Sequence, residues 1–75
     1  MSFTIYGKPQ CPNCDIAKNL LKSKNIDFDY KDISKSPDDL NFLKNLGAKS
    51  VPMVFIEGQL IGGLNELKSY VKELT

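Results

Sequence analysis

The sequence has no histidine, no tryptophan and only two cysteines in 75 residues. Without histidine there is no histidine-based metal site and no histidine general base. No charge of one sign dominates, since ten Lys and Arg face nine Asp and Glu. A dedicated nucleic-acid binder would carry a basic patch or stripe, so nucleic acid is not an expected partner. No apolar run approaches the ~20 residues of a membrane-spanning helix. The first residues, MSFTIYGK, lack the basic leader and apolar stretch of a secretory signal. A cytoplasmic protein without a membrane partner is therefore expected. In that compartment a close cysteine pair is more often catalytic or metal-binding than structural.

At 75 residues the chain is expected to form one domain, residues 1–75, with a thin core. Its two cysteines, Cys11 and Cys14, lie in GKPQCPNCDIAKNLL. A disulfide between them closes a very short loop, and short loops gain least in the chain-entropy account. Stabilisation is a weak reason for the pair.

The patterning predicts seven elements. SFTIY, Ser2–Tyr6, alternates as a strand. Pro12 suits the first turn of a helix that runs to about Lys24. Cys14, Ala17 and Leu21 share one face of it, with Ile16 and Leu20 beside them. A second strand, Ile26–Ile33, alternates Ile26, Phe28 and Tyr30 against Asp27, Asp29 and Lys31, which suits an edge or a half-exposed strand. Ser36 is an N-cap, Pro37 a first helical residue, and Asp38 and Asp39 suit the positive end of the helix dipole. Leu40, Leu43 and Leu46 form that helix's apolar face, and Gly47 ends it. Met53–Ile56 and Gln59–Ile61 flank Glu57-Gly58 as a hairpin. Gly62-Gly63 breaks the pattern, and a last helix spans about Asn65–Leu74. The first strand–helix–strand unit is expected to be parallel and right-handed. The sum is an α/β protein with a four-stranded mixed sheet and three helices on its faces, in the order β-α-β-α-β-β-α.

Two cysteines three apart, after a strand and opening a helix, form a redox arrangement. The thiolate is the nucleophile, and a helix N-terminus stabilises an anion. Cys11 is expected at the more exposed end, with a lowered pKa, as the attacking thiolate. Lys8 adds positive charge; alone it reads more often as a solvated surface lysine, and only its nearness to Cys11 brings the two readings level. Cys14, one turn deeper, is expected to resolve the mixed disulfide. A metal half-site is the competing reading. One CxxC supplies two ligands where a closed zinc site takes four, so zinc or an iron–sulfur cluster would need a second chain or outside ligands.

Three separated stretches resemble the glutaredoxin family: KPQCPNC (Lys8–Cys14), SVPMVFI (Ser50–Ile56) and QLIGGLNEL (Gln59–Leu67). The resemblance implies a thioredoxin-like fold. It implies that Cys11 attacks and Cys14 resolves, with no tightly bound cofactor and with glutathione as co-substrate. It places Pro52 after a cis peptide, where the residues alone allow an ordinary strand-initiating proline. It further implies a glutathione groove. Val51 would pair with the extended ligand backbone, beside Asn13 and Pro52. Gly63, otherwise a turn glycine, would border the ligand. The γ-glutamyl carboxylate would meet Leu64, Asn65 and Glu66 at the last helix's N-terminus, and Lys8 would face the glycine-end carboxylate. Expected partners are glutathione and protein disulfides, with ribonucleotide reductase as a candidate, and a monomer is expected.

The chain departs from the family at Asn13, where Tyr or Phe is usual, at Glu66, where Asp is frequent, and at Gly7, where Thr or Ser is frequent. Small redoxins reduced by thioredoxin reductase carry a Trp-Ser-Gly-Phe type segment before the last helix. IGGLNE stands there instead, which favours the glutathione-linked group over that alternative.

Overall fold

The computed structural model describes residues 2–48 and 50–74. Its elements are β1 (Phe3–Gly7), α1 (Pro12–Ser23), β2 (Phe28–Asp32), α2 (Pro37–Asn45), β3 (Met53–Ile56), β4 (Gln59–Gly62) and α3 (Leu64–Leu74). The strands form one sheet in the order β2-β1-β3-β4. β2 runs parallel to β1, while β3 pairs antiparallel with both β1 and β4. The expected mixed sheet and element order are those observed.

Strand alternation sorts the core into two layers. Phe3 and Ile5 of β1 lie opposite Ile56 and Val54 of β3. They pack on one face with Ala17 and Leu21 of α1 and Leu67 and Val71 of α3. Tyr6 and Phe55 face the other way and meet Leu43 of α2. The Tyr6 and Phe55 rings stand edge to face at 5.3 Å, and Phe42 adds a third ring 5.6 Å from Phe55.

The helix ends follow from local chemistry. Ser36 Oγ accepts from Asp39 N–H at 3.4 Å and starts α2. We expect Ser36→Ala to cost about 0.5–1 kcal/mol, the low end for an N-cap because this bond is long. The urea-unfolding midpoint measures it. α1 ends with Asn25 in the left-handed region and with Ile26 N–H and Asn25 N–H donating to Leu21 O and Lys22 O. α2 ends in the same way on Gly47, with Ala48 N–H and Gly47 N–H donating to Leu43 O and Lys44 O. Both are Schellman motifs. The β3–β4 turn has positive φ at Glu57 and Gly58, as a type I′ hairpin requires.

Three expectations are corrected. Leu46 does not belong to the apolar face of α2. It is the C-cap and is 48% exposed, because the Schellman end turns the chain before Leu46 reaches the core. β2 is shorter than Ile26–Ile33, since β1 offers partners only from Phe28 to Asp32. Beyond it, Ser34 N–H and Oγ–H donate to Asp32 Oδ1 at 2.9 and 2.6 Å and turn the chain. The Ser34 hydroxyl, foremost, holds the Asp32 carboxyl below its usual range. A depressed carboxyl stabilises the fold above its unfolded pKa and loses that contribution as pH falls through the folded value. Ile16, expected beside the buried face of α1, is 45% exposed and lines a hollow shared with Pro52 and the start of α3.

Candidate active site

β1 ends at Gly7, and Lys8, Pro9 and Gln10 carry the chain over the sheet end to α1. Gln10 turns this corner with φ of 58°, a region that residues other than glycine rarely adopt. Cys11 is the N-cap of α1, in extended conformation, and Pro12 takes the first helical position where no N–H is needed. The Cys11 carbonyl accepts the first helical bond, from Asp15 N–H at 3.1 Å.

The two cysteines are joined as a disulfide, with Cα atoms 5.2 Å apart. Cys14 N–H donates to Cys11 Sγ at 3.2 Å, so Cys11 holds the place that a serine or aspartate oxygen takes in an ordinary cap. Cys11 is 8% exposed and Cys14 fully buried. The expected order of exposure therefore holds, with both sulfurs well covered in the oxidised pair. Cys11 Sγ also lies 4.0 Å from Val51 O. The Val51–Pro52 peptide bond is cis.

Seven of the eight residues assigned to the ligand groove line one hollow of about 390 Å³: Asn13, Val51, Pro52, Gly63, Leu64, Asn65 and Glu66. Two segments approach closely there, since a Cβ on Gly63 would sit 3.3 Å from Pro52 O. Glu66 Oε1 accepts from Gly63 N–H at 2.7 Å. This is the return half of a capping box, with glycine at the cap. The first-turn N–H groups of Leu64, Asn65 and Glu66 have no intrahelical acceptors by the geometry of a helix start. Lys8, the eighth residue, lies across the Val51 segment on a second hollow with Leu40, Leu43, Lys44, Ala48 and Val51. Val51 borders both.

Sequence reasoning missed three residues of the first hollow: Ile16, Ser50 and Lys68. Lys68 follows Leu64 and Asn65 by four and three positions, so helical spacing could have found it. Ile16 follows Asn13 by three. Its exposed apolar side chain forms a wall beside an Asn13 that is not aromatic. Among the described residues no cluster of three or more His, Cys, Asp or Glu could hold a metal ion. No helix among them is long and apolar enough to cross a membrane.

The glutaredoxin family model matches residues 3–61. This chain belongs to the glutaredoxin family. It is 35% identical to a glutaredoxin of Haemophilus influenzae, over 97% of this chain and 93% of that protein. It is 39% identical to glutaredoxin 3 of Escherichia coli K12, over 84% of this chain and 77% of that one. Among solved structures, the glutaredoxin-like protein NrdH-redoxin of Escherichia coli superposes with a TM-score of 0.86 at 21% identity, covering 100% and 96% of the two chains. The thioredoxin-like fold of glutaredoxins is thus the fold of this chain. It is a small glutaredoxin-like redox protein whose cysteine pair opens α1.

Proposed function

We propose that this protein is a cytoplasmic, glutathione-linked thiol–disulfide oxidoreductase that reduces protein disulfides or glutathionylated proteins through Cys11 and Cys14. The observation that carries this is the groove beside the pair. It joins the Val51 backbone, the open N-terminus of α3 and the Lys68 side chain within one hollow. A glutathione carboxylate suits the α3 N–H groups, and Val51 offers backbone bonding to an extended tripeptide. Lys8 would meet the second carboxylate from the other hollow, across Val51.

The chemistry follows. Cys11 thiolate attacks one sulfur of a substrate disulfide, and the other sulfur leaves as a thiolate and takes a proton from water. Cys14 thiolate then attacks Cys11 Sγ, the Cys11–substrate bond breaks, and the second substrate thiolate leaves. The protein is left in the disulfide state seen here. One glutathione thiolate reopens that disulfide at Cys11. A second removes the glutathionyl group as glutathione disulfide, so two electrons pass from two glutathiones to one substrate disulfide. On a glutathionylated substrate Cys11 takes the glutathionyl group directly, and Cys14 is not required.

A second reading rests on Asn13. It is exposed at the groove edge, where an aromatic ring would flank the ligand, so the groove holds glutathione less firmly and thioredoxin reductase becomes the candidate reductant. The gap between glutaredoxin and thioredoxin couples is about 40–70 mV, or about 2–3 kcal/mol, enough to decide which pool reduces the pair. NADPH oxidation with a mixed-disulfide substrate separates the readings. Turnover is expected with glutathione and glutathione reductase. Turnover with thioredoxin reductase alone, and none with glutathione, would overturn the first reading.

A further inference from the structure

Dithiol chemistry passes through a Cys14 thiolate in both directions, as nucleophile when the mixed disulfide is resolved and as leaving group when the disulfide is reopened. Cys14 is fully buried beside Ala17 and Leu21. A thiolate in apolar surroundings is disfavoured unless a hydrogen-bond donor or positive charge meets it. The backbone N–H of Cys14 does not serve, because it is spent on Cys11 Sγ. The proposed mechanism therefore lacks a donor for its second sulfur.

Tyr30 stands in β2 opposite Ile5, in the layer covered by α1. Lys18 Nζ lies 4.2 Å from its ring centroid and holds the ring from the helix side. The hydroxyl reaches the end of β1. There a Cβ on Gly7 would collide with Tyr30 Oη and lie 3.0 Å from Cys14 Sγ. Both atoms therefore border the space that a glycine leaves and any other residue would fill. In the disulfide state, where the Cys14 sulfur carries no charge, Tyr30 Oη makes no hydrogen bond to the described residues.

We propose that the Tyr30 hydroxyl is the hydrogen-bond donor that stabilises the Cys14 thiolate, and that Gly7 is the residue that admits it. The inference rests on the dithiol reading above and adds a residue to it. No proton is transferred. In resolution the Cys14 lone pair forms the bond to Cys11 Sγ as the substrate thiolate departs. In reopening, the attacking thiolate bonds to Cys11 Sγ and the electron pair of the broken S–S bond stays on Cys14, facing the Tyr30 O–H. The phenol keeps its proton throughout. Burial, then Asp32, then Asp15 push its pKa above the ordinary tyrosine value. The charged groups around it are Asp15 and Lys18 from α1 and Asp32 from its own strand.

The test uses Tyr30→Phe, which retains the ring and removes the hydroxyl. In a Cys11→Ser background, NMR of the Cys14 Cβ follows the titration of that thiol directly. We expect Tyr30→Phe to raise the Cys14 pKa by about one unit or more. With Cys11 intact and loaded as a mixed disulfide with thionitrobenzoate, release of the coloured thiolate reports resolution. We expect it to slow about tenfold at neutral pH and to recover as pH rises. An unchanged Cys14 pKa, or a slowing that does not recover with pH, would overturn the proposal. Neither measurement uses glutathione or a reductase, so failure here is separate from failure of the proposed activity.

Discussion

Replacing Cys11 with serine is expected to lower turnover at least about 10³-fold on both glutathionylated and protein-disulfide substrates. Every route in the proposed chemistry begins with sulfur at this position. Serine at Cys11 keeps the cap geometry, since a hydroxyl oxygen accepts from an N–H as readily as sulfur does. The fold around Pro12 should therefore persist, and the loss would be chemical. Circular dichroism of the variant checks the fold, and the coupled NADPH assay checks the rate. Residual activity near wild type would mean that Cys14, despite its complete burial, is the attacking sulfur. The Cys14 N–H aimed at Cys11 Sγ argues against that outcome. The N–H groups that stabilise an anion at a helix start are available to Cys11 and not to a residue one turn inside.

Much of this architecture could be read from residue patterns because those patterns are local. The 3.6-residue spacing of Cys14, Ala17 and Leu21 states which side of α1 is covered, and all three are fully buried. Ser36, Pro37 and Gly47 announce the ends of α2. What was misread depends on partners that are distant in the chain. The length of β2 is set by the five residues of β1 it pairs with, and alternation from Ile26 onward carries no trace of that limit. Leu46 satisfies the helical spacing, yet the stop at Gly47 turns it outward. Ile16 is apolar and adjacent to a buried face, and only the arrival of Pro52 and α3 beside it makes it a groove wall. The same holds within the site. The cysteine pair and its helix start are one short segment and were legible. Lys68 had a helical spacing that pointed to it. The meeting of Gly7, Cys14 and Tyr30 joins two strands and a helix. The sequence offered only an unexplained glycine where the family often has a hydroxyl residue.

Replacing Cys14 should separate the two routes by about two orders of magnitude. Activity on protein disulfides is expected to fall about 10²-fold or more, because a protein mixed disulfide at Cys11 then waits for an external thiol. An intramolecular thiol one helical turn away is held at a high effective concentration, and no free thiol in solution matches it. Activity on glutathionylated substrates is expected to stay within several-fold of wild type, since that route uses Cys11 and a second glutathione. The choice of replacement matters. Serine would place a hydroxyl in the apolar site at Cys14, at a cost of about 1–3 kcal/mol if unpaired. A domain of this size has about 4–11 kcal/mol of net stability, so the serine variant should fold, though with less margin. Alanine avoids the polar group and leaves a small cavity, so agreement between Cys14→Ser and Cys14→Ala would assign the effect to the missing thiol. Mass spectrometry of either variant after exposure to a protein disulfide should find the substrate covalently held on Cys11. If both variants reduce protein disulfides at the wild-type rate and no adduct accumulates, Cys14 does not resolve. The dithiol mechanism would then give way to one in which Cys11 acts with glutathione alone.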